Sequence, residues 1–165
     1  MSNESVCVVL AAYNERASLG ELIPELLETL SACGVRPSVC VVDDGSTDGT
    51  CDWLVDWRES EPRIQLLQLS RNFGHQAALL AGLANVSADA VVMMDADGQH
   101  PVHALPEMIQ IWRGGVDVVN TFPELAPETG FFRRIAGRGF YSLFRLLTGL
   151  PVQEGMSDFR LLSHR

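Results

Sequence analysis

The sequence lacks the features that mark several large classes of protein. No apolar run is long enough to cross a bilayer, and the N-terminus MSNESVCVVL has no basic segment of the kind that opens a secretory signal. No GxGxxG motif follows the first apolar run and no GxxxxGK[ST] motif occurs, which argues against a dinucleotide oxidoreductase and a P-loop NTPase. The net charge of −9 argues against nucleic acid as the main partner.

The cysteines likewise lack the CxxC spacing of metal or redox sites, which predicts reduced structural thiols in a cytosolic compartment. There are four of them, at Cys7, Cys33, Cys40 and Cys51. The chain has 165 residues, of which 47% are hydrophobic and 20% charged, and these values are typical of one globular domain with a substantial core.

Short apolar runs alternate with helical patterns along the chain. The runs predict buried strands at residues 6–11, 38–42, 64–69, 90–95 and 116–119. Helices are expected from a capping box at Ser18 and Glu21 to about residue 33, at 50–58, at 75–85, and from Pro101 onward. This alternation predicts an α/β fold, a doubly wound and mainly parallel sheet with helices on both faces.

Polar residues follow four of the predicted strands, at positions 13–15, 43–46, 70–72 and 95–97. In doubly wound sheets, ligands bind outside the carboxyl ends of the strands. We therefore expect these four segments to form one polar rim around a ligand.

Two acids, Asp95 and Asp97, end the apolar run VVMMDADGQHP one residue apart. If both continued the strand, they would project to the same side and repel by about 2–3 kcal/mol at an effective dielectric constant of about 20. A divalent cation between them and a ligand would remove this repulsion, and Gln99 could add an oxygen. The alternative is a solvated loop with two independent acids.

The segment DDGSTDGT is suited to a nucleotide. Asp44 can accept a hydrogen bond from a base or ribose, Gly45 permits a sharp turn, and Tyr13 can pack on a base or ribose. The same residues also fit an ordinary turn that caps a helix, and the two interpretations are compatible.

Five segments together resemble the family 2 glycosyltransferases, whose fold is called GT-A. They are LAAYNE (10–15), VVDDGSTDGT (41–50), RNFGHQAALLAG (71–82), MDADGQHP (94–101) and SDFRLLS (157–163). Two of them, RNFGHQAALLAG and the DADGQHP of the fourth, together with FFRRIAGRGFYSLFRLL, are most similar to the polyprenyl-phosphate branch, which includes dolichol-phosphate mannose synthase and GtrB-like proteins.

The resemblance implies an inverting transfer from a nucleotide sugar, with UDP-glucose favoured over GDP-mannose, to a polyprenyl phosphate. It implies Mg²⁺ or Mn²⁺ on the diphosphate, held by Asp95, Asp97 and Gln99. Residues expected to contact the nucleotide sugar are Ala11, Tyr13, Glu15, Val42, Asp44, Asp95, Ala96 and Arg160. Asp97 and Asp158 are expected to be catalytic, with Asp158 orienting the acceptor at least as well as acting as a base.

Two anionic phosphates must approach one another in such a reaction, and Arg133 and Arg134 are our candidates for the cations that assist, unless they belong to a solvated helix face. The aromatic and basic residues of 131–147 are typical of a helix at an anionic membrane surface, or of core packing. His75 and His100 are predicted to be structural or loop residues.

The resemblance covers residues 1–165 as a single GT-A catalytic domain. We expect this domain to be cut from a longer protein, before interfacial or transmembrane helices, and to act on the cytoplasmic side of the membrane. Two alternatives remain open. The first is a GT-A enzyme with a soluble glycan or protein acceptor, and the second is a non-catalytic module that binds nucleotide sugars.

Overall fold

A computed structural model of the protein describes residues 4–121 and 158–164. Two compact units divide the chain, residues 1–119 with 158–165 and residues 120–157, and Arg133 and Arg134 lie outside the described residues. The described strands are β1 (Ser5–Ala12), β2 (Arg36–Asp43), β3 (Ile64–Gln68), β4 (Ala90–Asp95), β5 (Val118–Asn120) and β6 (Arg160–Ser163). The helices are α1 (Arg16–Ala32), α2 (Thr50–Ser60), α3 (His75–Asn85) and α4 (Leu105–Arg113), with a 3₁₀ turn at Val102–Ala104.

The strands form one sheet in the order β3-β2-β1-β4-β6-β5. β1 pairs in parallel with both β2 and β4, and β2 pairs in parallel with β3, which confirms the predicted doubly wound α/β architecture. The sequence analysis did not predict β6, which pairs antiparallel with β4. This strand has only four residues, so its pattern is too short to identify without its partner.

Helices cover both faces of the sheet, as predicted. Alternate residues of β1 point to opposite faces. Val6, Val8 and Leu10 pack in the core beneath α1, α2 and α4, whereas Cys7 and Val9 pack in a second core beneath α3. Burial on both faces explains why the strands are continuously apolar instead of alternating.

All four cysteines are free thiols. Burial, together with the neighbouring Cys7, raises the pKa of Cys40 to about 12. Cys7 and Cys40 are therefore unreactive core residues. Among the described residues, no helix combines the length and the apolar character needed to cross a bilayer.

The predicted capping box of α1 is wrong. The helix begins at Arg16 and Glu15 occupies the N-cap, although its side chain makes no capping hydrogen bond. Ser18 lies within the first turn and donates from its hydroxyl to Oε2 of Glu15 at 3.0 Å. The serine therefore bonds back toward the helix start, which a capping-box pattern alone does not reveal.

Two other predicted elements begin later in the structure than expected, and β1, β2, β3 and α2 differ from their predicted bounds by one or two residues. Pro101 precedes a 3₁₀ turn, and α4 begins only at Leu105, where Pro106 occupies the first turn. The strand predicted at 116–119 is β5, shifted toward the C-terminus to Val118–Asn120. The bounds of α3 and β4 agree with the prediction, and both elements border the site described next.

Candidate functional site

A cavity of about 440 Å³ opens at the carboxyl ends of β1, β2 and β4. The register brings these strand ends together, because Ala11 pairs with Val42 on one side and with Asp95 on the other. The cavity is lined by Ala11, Ala12, Tyr13, Glu15, Asp44, Asn72, Gly74, His75, Asp95, Ala96, Asp97 and Asp158. Parallel pairing thus produces the polar rim that the sequence predicts.

Asp44 joins the loop after β2 to the loop before α3. Its Oδ1 accepts a hydrogen bond from the backbone N–H of Phe73 at 2.7 Å, and its Oδ2 accepts one from Gly74 at 2.9 Å. Asp44 is buried, so both bonds are shielded from water. The carboxylate predicted to contact a nucleotide therefore already fixes the backbone that leads into α3.

Gly45 allows this close contact between the two loops. Its φ of +75° lies in the left-handed region, and a Cβ atom there would lie 2.6 Å from the backbone carbon of Arg71. Only glycine satisfies both conditions. The glycine of the DDG segment is therefore required by loop packing as well as by the turn.

The loop after β1 is fixed to the loop after β2 through Asn14. Its backbone N–H donates to Oγ of Ser46 at 2.9 Å, and its side-chain oxygen accepts from the N–H of Thr47 at 2.8 Å. Asn14 has a φ of +59°, which asparagine tolerates better than most residues. The neighbouring Tyr13 is half exposed at the cavity, where its ring is accessible to a planar ligand.

The carboxylate of Asp95 lies between two imidazoles. Nε2 of His100 is 2.9 Å from Oδ2 of Asp95, and Nε2 of His75 is 3.0 Å from Oδ1. The ring of His100 also packs against that of Phe159, with centroids 5.2 Å apart. The contact with His75 lacks hydrogen-bond geometry, so the shielded Oδ1 has no hydrogen-bond partner within residues 4–121 and 158–164.

Asp158 lies two residues before the start of β6 and is brought to the same place by the antiparallel pairing of β6 with β4. Its Oδ2 accepts a hydrogen bond from Nε2 of Gln76 at 2.9 Å and lies 3.3 Å from Nε2 of His75. A guanidinium nitrogen of Arg160 is 3.4 Å from Oδ1. Arg160 itself pairs with Met93 of β4, so the strand register places the arginine beside the acid.

Asp97 has a different setting from Asp95. β4 ends at Asp95, so Asp97 lies in the following turn, and the expectation that both acids project from one strand is wrong. Oδ1 of Asp97 accepts a hydrogen bond from the backbone N–H of Gln99 at 2.9 Å. Asp95 and Asp97 both line the cavity, whereas Gln99 is not among its lining residues.

The site residues fit a divalent cation. The shielded, unpartnered Oδ1 of Asp95 is the kind of buried polar atom that an ion satisfies. His75, Asp95 and Asp158 each offer one ligand atom, and these atoms lie within 4.8 Å of one another. Carboxylate and imidazole groups are both ligands of divalent metals.

His75 and Gln76 are site residues that were not predicted from the sequence. Structural or loop roles were expected for His75 and His100, because neither has a second histidine or cysteine at metal-ligand spacing. In the structure both imidazoles contact Asp95. His75 and Asp95 are far apart along the chain, so the sequence does not show that they are in contact. The available signal was the position of His75, at the start of a helix that follows a strand end.

The predicted nucleotide-sugar residues are distributed between the cavity and the sheet. Val42 is fully buried within β2 and does not line the cavity. Arg160 is not among the lining residues either, but it contacts Asp158, which is. The residues that do line it are Ala11, Tyr13, Glu15, Asp44, Asp95 and Ala96.

An acidic cavity at the carboxyl ends of a mainly parallel sheet is the place where doubly wound α/β proteins bind their ligands. The sequence profile described as glycosyl transferase family 2 matches residues 7–165, and the chain therefore belongs to that family. Among solved structures, a mannosyltransferase from Pyrobaculum calidifontis in complex with GDP-Man and Mn²⁺ aligns with a TM-score of 0.66 and 22% identity. The alignment covers 99% of this chain and 45% of that one, and supports the GT-A fold.

Two curated relatives confirm the resemblance to the polyprenyl-phosphate branch. The undecaprenyl-phosphate 4-deoxy-4-formamido-L-arabinose transferase of Erwinia tasmaniensis is 35% identical over 159 residues, which are 96% of this chain and 47% of that protein. The bactoprenol glucosyl transferase of Shigella phage SfV is 29% identical over 158 residues, which are 96% of this chain and 52% of that protein. The chain spans about half the length of the curated relatives it matches.

Proposed function

We propose that this chain is the catalytic domain of an inverting, metal-assisted glycosyltransferase. It transfers a hexose from a nucleotide diphosphate sugar, with UDP-glucose as the favoured donor and GDP-mannose as the second, to a polyprenyl phosphate. The observation that carries the proposal is the convergence of Asp44, Asp95, Asp97 and Asp158 on one cavity. The bactoprenol and undecaprenyl-phosphate relatives support the lipid acceptor.

In this proposal Mg²⁺ or Mn²⁺ would be held by Asp95, Asp97 and Gln99, and the backbone N–H of Gln99 also fixes the carboxylate of Asp97. The ion, when bound, supplies positive charge that compensates the leaving diphosphate. His100 keeps the carboxylate of Asp95 in place, since its ring is itself fixed against Phe159. Such outer hydrogen bonds orient metal ligands.

The reaction is a single displacement. A phosphate oxygen of the acceptor forms a bond to the anomeric carbon, while the bond from that carbon to the nucleoside diphosphate oxygen breaks. A phosphate monoester has a second pKa of about 6, so the nucleophile is already ionised at neutral pH and no strong base is required. Asp158 is then best suited to orienting acceptor or sugar hydroxyls, because Gln76 and Arg160 fix its carboxylate.

The donor's nucleotide is proposed to lie along the strand ends. Tyr13 packs on the base or ribose, and the backbone at Ala11 and Ala96 forms the adjacent wall. Glu15 closes the same side of the cavity. Asp44 contributes by fixing the loops around the nucleotide, in addition to any direct contact.

The acceptor side of the proposal rests on the sequence. Arg133 and Arg134 are proposed to bring the lipid phosphate toward the donor, at the cytoplasmic surface of the membrane. The single domain of residues 1–165 is proposed to precede interfacial or transmembrane helices in a longer protein.

The test is a transfer assay with radiolabelled UDP-glucose or GDP-mannose, undecaprenyl phosphate in mixed micelles, and Mg²⁺ or Mn²⁺. We expect label to enter the organic phase only when lipid phosphate and metal are both present. Asp158→Asn should lower the rate by at least about tenfold because the positioning group is weakened. The control Asp56→Asn, an exposed acid of α2, should transfer at the native rate.

Other results would contradict parts of the proposal. Label that appears only in a water-soluble glycan or protein would replace the lipid acceptor with a soluble one. Binding of UDP or GDP in a calorimeter, with no transfer to any acceptor, would favour a non-catalytic nucleotide-sugar module.

A further inference from the structure

Asn14 holds a backbone conformation that few residues adopt. Its φ is +59°, and it is the one non-glycine residue with a positive φ in the part of the chain that the structure describes. Asparagine tolerates this left-handed region better than most residues, because its short polar side chain can form local hydrogen bonds. Such conformations are concentrated at functional sites, where the surrounding structure maintains them.

The neighbours of Asn14 in the chain form part of the cavity wall. Tyr13 and Glu15 both line the cavity, whereas Asn14 does not. The connection between β1 and α1 consists of residues 13–15 alone. A change of conformation at position 14 therefore alters the path of a short connection that carries two residues of the wall.

Hydrogen bonds fix Asn14 to the loop that follows β2. The backbone N–H of Asn14 donates to Oγ of Ser46 at 2.9 Å, and its side-chain oxygen accepts from the N–H of Thr47 at 2.8 Å. The N–H of Ser46 donates in turn to Oδ1 of Asp43, a buried acid, at 3.2 Å. Neither Ser46 nor Thr47 lines the cavity, so the residues that hold Asn14 lie outside it.

The loop that holds Asn14 is itself fixed on both sides by Asp44. The carboxylate of Asp44 accepts hydrogen bonds from the N–H groups of Phe73 and Gly74, and its own N–H donates to the carbonyl oxygen of Ala12 at 2.8 Å. Three segments at this edge of the sheet are therefore joined before any ligand binds. Loops that are already ordered in their binding conformation avoid the cost of ordering when a ligand arrives, and this strengthens binding.

We infer that Asn14 is a positioning residue for the nucleotide-sugar donor and that it acts through Tyr13. Its two hydrogen bonds and its left-handed backbone keep the ring of Tyr13 at the cavity wall, where the ring is half exposed. Because Asn14 does not line the cavity, its substitution should weaken donor binding and leave the chemical step unchanged. The inference rests on the proposed function for the identity of the ligand and for the contact of Tyr13 with it.

Two substitutions at position 14 separate the side chain from the backbone conformation. Asn14→Gly keeps the positive φ, which glycine adopts freely, and removes the bond to Thr47. Asn14→Asp keeps an oxygen acceptor for that bond and also tolerates the left-handed region. The measurements are donor KM and kcat in the transfer assay, and the Kd for UDP and GDP by calorimetry with Mg²⁺.

We expect Asn14→Gly to raise donor KM and nucleotide Kd by about 3- to 10-fold, with kcat within about twofold of the native value. Asn14→Asp should return both constants most of the way to the native values. The control Asn85→Gly makes the same substitution at the exposed end of α3, where the side chain donates to the carbonyl oxygen of Ala81. It should leave KM and Kd at the native values.

A double-mutant cycle tests whether Asn14 acts through Tyr13. In a Tyr13→Ala background, Asn14→Gly should weaken nucleotide binding no further, because the group that Asn14 positions is absent. Equal losses in the two backgrounds would refute the route through Tyr13. A lower kcat at unchanged KM and Kd would also overturn the inference, since a smaller folded fraction lowers kcat alone.

The inference and the proposed function fail in different ways. If the native chain transfers sugar and Asn14→Gly has native KM and Kd, the inference is wrong and the proposed function stands. If Asn14→Gly binds nucleotide more weakly but the native chain transfers sugar to no acceptor, the inference stands and the proposed function is wrong. A native chain that binds neither UDP nor GDP would overturn both.

Discussion

The two backbone hydrogen bonds to Asp44 allow a quantitative prediction for Asp44→Asn. Asparagine retains one oxygen acceptor and presents an NH₂ group where the other carboxylate oxygen was. Hydrogen bonds to charged groups contribute about 1.5–3 kcal/mol, and a buried N–H without a partner costs about 1–3 kcal/mol. The N–H of Gly74 also lies 3.1 Å from Oδ1 of Asn72, which offers it a replacement acceptor.

The amide of the substituted residue should therefore turn its oxygen toward Phe73 and its NH₂ toward Gly74. This rearrangement limits the expected loss of unfolding free energy to about 2 kcal/mol for Asp44→Asn. Asp44→Ala leaves the N–H of Phe73 with no acceptor and should lose about 3–4 kcal/mol.

Urea unfolding followed by circular dichroism measures these losses, with the native chain and Asp56→Asn as references. Asp56 is exposed on α2, so its substitution makes the same charge change and should alter the unfolding free energy by less than about 0.5 kcal/mol. If both Asp44 variants matched that control, the bonds to Phe73 and Gly74 would not hold the loop before α3. The loss of unfolding free energy should be largest for Asp44→Ala, smaller for Asp44→Asn and smallest for Asp56→Asn, and this order tests the argument as well as the individual values do.

Two further predictions concern the sheet. Gly82→Ala should destabilise the fold by about 1–3 kcal/mol in urea unfolding, because the new Cβ would lie 2.3 Å from Cγ1 of Val9. Asp89→Asn should lower the unfolding free energy at pH 7, and this deficit should shrink below about pH 4. The reason is that the N–H and then the hydroxyl of Ser5 lower the pKa of Asp89, so its contribution is present above the unfolded-state pKa and lost as the pH falls through the folded-state value.

Each of these predictions has a matched comparison. Gly20→Ala places the same methyl group in α1, where the nearest atom, on Trp53, is 3.9 Å away. It should stabilise the chain slightly through helix propensity, so equal effects at Gly20 and Gly82 would refute the overpacking argument. A deficit for Asp89→Asn that stays constant from pH 7 to pH 3 would show that the bonds to Ser5 do not depend on the charge of Asp89.

The strands and helices next to the site could be predicted from local pattern. The run at 90–95 is continuously apolar until it reaches an acid, and residues 75–85 carry a helix pattern that starts after a glycine. Both elements have the predicted bounds. β6 could not be predicted in this way, because Arg160–Ser163 becomes a strand by pairing with its neighbours in the sheet, β4 and β5.

The composition of the cluster around Asp95 was equally hidden. Asp95 and Asp97 are two residues apart in the sequence, and this spacing predicts that their carboxylates lie together. The end of β4 separates them, and the start of α3 and the antiparallel β6 bring His75 and Asp158 to Asp95 instead. Whether two ligand atoms converge depends on strand order and register, which a pattern of neighbouring residues does not contain.

The sequence by itself determined the α/β order, the burial of the strands and the polar character of the rim. These properties depend on local hydrophobic periodicity and on the rule that parallel strands end at one edge. Tertiary structure alone decided which polar atoms meet there. It directs Asp44 to the backbone before α3 and places the carboxylate of Asp95 between the imidazoles of His75 and His100, because contacts between distant segments are fixed by packing and register.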